Sequence, residues 1–135
     1  MTKSTDKDIV RQATARWLED MVIGLNLCPF ARSEWEAARV RIFVSDATSE
    51  AALAEALVEE VGYLLGHDKI ETTLFVHPQV LTQFEAFNQF LNQVDDLVTA
   101  LDLEGVLQVA TFHPDYQFFG TEADALDNYT NRSPY

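Results

Sequence analysis

The chain has a single cysteine, Cys28, in 135 residues, and a lone thiol cannot close an internal disulfide. That removes the staple of small secreted domains and suits a reducing compartment. It also excludes a zinc site built on paired cysteines. Long apolar runs are missing as well: no stretch approaches the ~18–20 uninterrupted apolar residues of a membrane-spanning helix, and the opening Met1-Thr2-Lys3-Ser4-Thr5-Asp6 has no apolar signal core. A cytoplasmic protein without a membrane partner is expected. Basic residues are scarce, nine Lys and Arg against 22 Asp and Glu, for a formal charge of −13. Phosphate backbones are bound by clustered cations that release counterions, and only Arg39 and Arg41 stand close together, so nucleic acid is not an expected partner. Internal repeats, low-complexity tracts and linkers are absent too, and the length suits one domain over 1–135 with one core.

Hydropathy patterning then supplies the elements. Ile9, Val10, Ala13, Trp17, Met21 and Leu25 recur at steps of mostly three and four, one stripe of a helix over about 6–26. Pro29 disfavours a helical Cys28 and can itself open a short second helix covering 31–38, with Cys28 as its N-cap. The β-branched run at 40–46 reads as a strand, with Thr48 and Ser49 as candidate caps of the helix that follows. On that helix Leu53, Leu57, Val61, Leu64 and Leu65 share one face, and Glu50, Glu55, Glu59 and Glu60 are left largely on the other. A second strand at 72–77 ends at Pro78. Thr82-Gln83-Phe84-Glu85 has the form of a capping box, and Phe84, Phe87, Leu91, Val94, Val98 and Leu101 continue as a helical stripe. The run at 106–113 reads as a third strand, and an irregular C-terminal loop rich in aromatics and amides follows. The order α-(α)-β-α-β-α-β implies an α/β layered domain with a mostly parallel sheet of at least three strands.

Parallel strands end on a common edge, where open α/β sheets receive ligands. Asp46, His77 and His113 follow the three strands, and Asp115 lies two residues beyond His113. Taken singly, each histidine reads as a strand cap bonded to the backbone. Together they suggest chemistry. One arrangement is catalytic: a Cys28 thiolate as nucleophile, His113 as acid or base, and Asp115, or less favourably Asp46, orienting the imidazole. It depends on Cys28 facing the unpaired amides of a helix start, whereas a cysteine among Leu25, Leu27 and Phe30 is otherwise a small buried hydrophobe. A second arrangement is a metal site of His77, His113 and Asp46 or Asp115. A third is a non-catalytic module that binds a partner, or a small anionic ligand at Arg132 with Tyr116, Asn128 and Asn131. Arg132 could instead pair with Asp127 or Asp115. The third arrangement has its own signature: the reactive side chains fail to converge and an apolar patch is exposed elsewhere.

The segments Gly24-Leu25-Asn26-Leu27-Cys28-Pro29-Phe30-Ala31, Thr72-Thr73-Leu74-Phe75-Val76-His77-Pro78, Phe112-His113-Pro114-Asp115-Tyr116-Gln117-Phe118 and Asn128-Tyr129-Thr130-Asn131-Arg132-Ser133-Pro134-Tyr135 together resemble the bacterial family called domain of unknown function 1415. The resemblance spans nearly the whole chain. It implies no reaction, cofactor or catalytic residue, and because family members continue past the last of these segments it implies truncation at Tyr135. The sequence favours a small-molecule enzyme with a Cys28/His113 site and leaves substrate, cofactor and oligomeric state open.

Overall fold

The computed structural model describes residues 3–135, which mix helix with a small parallel sheet and fall into two compact units. The first unit runs up to Val80 and includes Pro134–Tyr135; the second is Leu81–Ser133. Among the described residues no helix is long and apolar enough to cross a membrane.

In the first unit α1 spans Lys3–Trp17 and passes directly into a π-helix, Leu18–Ile23. α2 is Ala31–Glu36, β1 is Val40–Val44, α3 is Glu50–Leu65 and β2 is Thr72–Val76. β1 and β2 are parallel neighbours in register from Val40↔Thr72 to Val44↔Val76, with α3 as the crossover between them. The backbone bond from Ser45 N–H to the Val76 carbonyl, 2.8 Å, prolongs the ladder past the strand ends. Ser49 caps α3 as its extended backbone and composition imply, its Oγ accepting from Ala52 N–H at 3.2 Å.

The expected stripe on the first helix fails in its C-terminal half. The π winding replaces i→i+4 with i→i+5 bonds, so more residues fill each turn and a stripe extrapolated at 3.6 drifts off the core. Leu18, Val22 and Ile23 therefore point inward, packed by Trp17, Ala31, Trp35, Val40 and Leu74, while Met21 and Leu25 are exposed; Ile9, upstream on α1, is exposed independently of the π turn.

Glu60 departs from the polar face assigned to it. Its side chain is buried on α3, and Oε2 accepts from Arg41 Nε on β1 and from Thr73 Oγ1 on β2, both at 2.9 Å. Arg41 in turn lies over the ring of Tyr63, 3.9 Å from its centroid. One carboxylate thus ties the crossover helix to both strands, which compensates for a sheet of only two.

In the second unit α4 spans Phe84–Ala100 and buries Phe87, Phe90 and Val94, while Leu101 at the end of the expected stripe is exposed. The capping box does not form: Gln83, extended and without a side-chain cap bond, is the N-cap. The third strand does not form either, and among the described residues the sheet has two strands. Residues 107–113 carry no regular structure, and Val106 and Val109 are exposed. A β-branched run becomes a strand only where a ladder partner accepts its amides and carbonyls. Here the backbone of His113 bonds to the Asn131 carbonyl at 3.0 Å, in the loop, and a 3₁₀-helix at Leu126–Asn131 breaks what the sequence reads as a wholly irregular tail.

Glu60→Ala strands Arg41 and the Thr73 hydroxyl, and is expected to lower the unfolding free energy by about 3 kcal/mol. Thr73→Val, which keeps the shape and removes one bond, should cost about 1 kcal/mol. Urea unfolding of both variants measures this, and equal effects would contradict a central role for the carboxylate.

Candidate functional site

The second unit gathers six of the residues nominated from sequence. His113 is 3% exposed, and both of its ring nitrogens are engaged. Nε2 stands 3.1 Å from the Leu81 carbonyl oxygen, which can only accept, and Nδ1 stands 3.0 Å from the Asp115 backbone N–H, which can only donate. These partners fix the neutral tautomer with the proton on Nε2. The ring is packed among Phe84, at 5.5 Å between centroids, and Phe87, at 5.1 Å. Asp115 meets the imidazole through its main chain, while its side chain is on an exposed residue. A general base needs a free lone pair and a metal ligand needs the same; in His113 the lone pair of Nδ1 is already holding an amide.

Asn128 is fully buried. Its Oδ1 accepts from Phe118 N–H at 2.8 Å and Thr121 Oγ1 at 3.2 Å, and its Nδ2 donates to the Glu122 carbonyl at 2.9 Å. Asn131 Nδ2 donates to the Thr111 carbonyl at 2.9 Å. Arg132 donates from Nε to the Tyr116 carbonyl at 3.1 Å and from Nη2 to the Ala123 carbonyl at 2.5 Å, and stacks on Tyr129. The Tyr116 ring packs on Phe84 and edge-on to Phe118. These side chains answer a backbone need: a segment without a ladder still has one donor and one acceptor per residue to satisfy.

Cys28, His77 and Asp46 belong to the first unit. His77 Nδ1 lies 3.1 Å from the Val80 carbonyl, a strand-end histidine closing a turn. The Asp46 carboxylate is 3.6 Å from Lys7 Nζ. Among the described residues no group of three or more His, Cys, Asp and Glu is placed to hold a metal ion, so the two-histidine set is not assembled.

Cys28 is exposed, which overturns the buried-hydrophobe alternative, and it is not a cap: Phe30 precedes α2, and the Cys28 carbonyl only accepts from Ala31 N–H. The whole segment around it is exposed: Leu25, Leu27, Cys28, Pro29 and Phe30, the last at 78%. Its backbone is nevertheless well tied. Gly24 N–H donates to Glu19 at 2.9 Å and Leu27 N–H to Val22 at 2.8 Å, Asn26 turns the chain in the left-handed region at φ 52°, and Ser33 Oγ donates to the Phe30 carbonyl. Gly24 is required for close approach, since a Cβ there would lie 2.3 Å from the Asp20 carbonyl oxygen. Leu25, Leu27 and Phe30 were not singled out from sequence except as neighbours of the thiol; the signal was apolar residues clustered beside a proline, where no helical stripe can bury them.

Asn128→Ala leaves a buried amide and a buried carbonyl without partners and should lower stability by about 3 kcal/mol. His113→Ala removes a ring from an aromatic cluster as well and should cost about 4 kcal/mol. Gly24→Ala is expected to unwind the π turn, seen as loss of stability together with changed amide shifts over residues 18–30. Chemical denaturation and amide NMR read all three, and wild-type stability in any of them would remove the clamp or the close approach it probes.

No curated protein and no solved structure matches the chain. The matching family model carries the description "Protein of unknown function (DUF1415)" and extends over residues 9–135, nearly the whole sequence, and the chain is therefore a member of that family.

Proposed function

We propose that this chain is a non-catalytic binding module that docks a partner protein through the apolar loop at residues 24–30. The observation that carries this reading is the exposure of five consecutive or near-consecutive apolar side chains, Leu25, Leu27, Cys28, Pro29 and Phe30, on a backbone fixed by internal hydrogen bonds. Exposed apolar side chains that a soluble chain holds in a defined conformation are characteristic of interaction sites, and a preordered loop loses little entropy when it binds. Phe30 supplies the aromatic anchor, and the charges that follow the loop are of both signs, Arg32 pairing with Glu36 and Arg39 with Glu34, so the partner is expected to offer an apolar pocket. On this reading His113, Asn128, Asn131 and Arg132 hold the tail together and do not grip an anion.

The exposure of the Cys28 thiol favours one other reading, a small-molecule enzyme with Cys28 as the nucleophile. One experiment separates the two. A photo-reactive phenylalanine analogue at position 30, activated in the cells that make the protein, should give one discrete protein adduct; Leu25→Asp with Leu27→Asp should abolish it and Cys28→Ala should leave it intact. Dependence of the adduct on Cys28, or an adduct indifferent to the two aspartates, would reject the docking loop.

A further inference from the structure

The second unit carries nine Asp and Glu side chains and one cation, Arg132, and that guanidinium is directed at two backbone carbonyls. By count this unit is strongly negative. Where α4 ends, the chain reverses through Asp102 and Gly105, both in the left-handed region, with Leu103 N–H donating to the Val98 carbonyl at 3.0 Å. The turn and the extended segment after it border a wide, solvent-open groove of about 710 Å³ against the end of the helix, with Asp95, Glu104, Val106 and Val109 all exposed. That size lies in the range of small-molecule sites, ~300–1,000 Å³.

The lining has two characters. Val98, Val106 and Val109 give it aliphatic walls, and Asp95 and Glu104 give it carboxylates with no lysine or arginine among the lining residues. The Thr99 hydroxyl donates to Glu104 Oε1 at 2.7 Å, which holds that carboxylate in place and leaves Oε2 to accept elsewhere. Neither carboxylate has a cationic partner among the described residues. An anion would be repelled here, a neutral alkane would leave the carboxylates unmatched, and a hydrated metal ion would gain nothing from the valines.

We infer that this groove binds a small amphipathic amine, a primary aliphatic ammonium whose head meets Asp95 and Glu104 and whose hydrocarbon body lies along Val98, Val106 and Val109. The site is independent of the loop at residues 24–30 and stands or falls separately from it. An ammonium has three donors and no acceptor, matching a lining whose charged groups only accept. Burying an alkyl tail adds a hydrophobic contribution that rises with chain length.

The test is titration with n-octylammonium chloride below its micelle concentration, followed by calorimetry and amide NMR. Expected is saturable one-to-one binding with shifts confined to residues around 95–109. Octanoate, with the same tail and opposite charge, should not bind, and spermidine, with charge and no tail, should bind at least roughly tenfold more weakly. Asp95→Asn with Glu104→Gln should weaken octylammonium by roughly tenfold or more. Val106→Lys, placed at a side chain that is 62% exposed and so tolerant of substitution, should block it with the fold intact. Equal affinity for spermidine, binding of octanoate, shifts centred elsewhere, no saturable binding, or indifference to Val106→Lys would each overturn the site.

Discussion

A backbone that leaves regular structure keeps its donors and acceptors, and in this chain side chains take up that obligation between Thr111 and Arg132. The His113 ring bridges the Leu81 carbonyl to the Asp115 amide, Asn128 serves three groups from full burial, and Asn131 and Arg132 reach carbonyls of Thr111, Tyr116 and Ala123. Removing His113 or Asn128, the two that are buried, costs more than the bonds are worth, because the groups left behind have no water to turn to. The loop is held in one conformation by polar contacts where a sheet or helix would use its own ladder.

That constraint also explains why these residue types invite a functional reading. Histidine, asparagine and arginine are the side chains that reach two or three groups at once, and a loop that must clamp itself needs the same multidentate chemistry that a ligand site needs. Spacing cannot separate the two uses. Geometry does: in His113 the identity of both partners fixes the tautomer and fills the lone pair, and Arg132 already donates to carbonyls.

Local signals in the sequence carried the first unit well. The two strands, the Ser49 cap and the helix between them follow from β-branched runs, a short polar cap and amphipathic periodicity. What was not legible depended on partners remote in sequence or on winding. The π turn after Trp17 shifted the buried face, so Leu25 emerged where a 3.6-residue repeat places it inside. Glu60 was assigned to solvent because the pattern could not anticipate Arg41 and Thr73 on two different strands. The run at 106–113 has the composition of a strand and no ladder to join. Asn128 and Asn131 lie in a short 3₁₀-helix that the sequence reads as loop, and the exposure of Leu25, Leu27 and Phe30 carries no local signal because it depends on the winding of the turn before them.

The molecule thus combines a self-clamped loop with two exposed surfaces, and His113 belongs to the clamp. Long-range proton–nitrogen NMR of the imidazole tests this most directly. A single neutral tautomer protonated on Nε2, with that proton slow to exchange with water, is the predicted result; a ring averaging between tautomers, or protonated on Nδ1 with an open Nε2 lone pair, would contradict it and return His113 to the list of reactive groups.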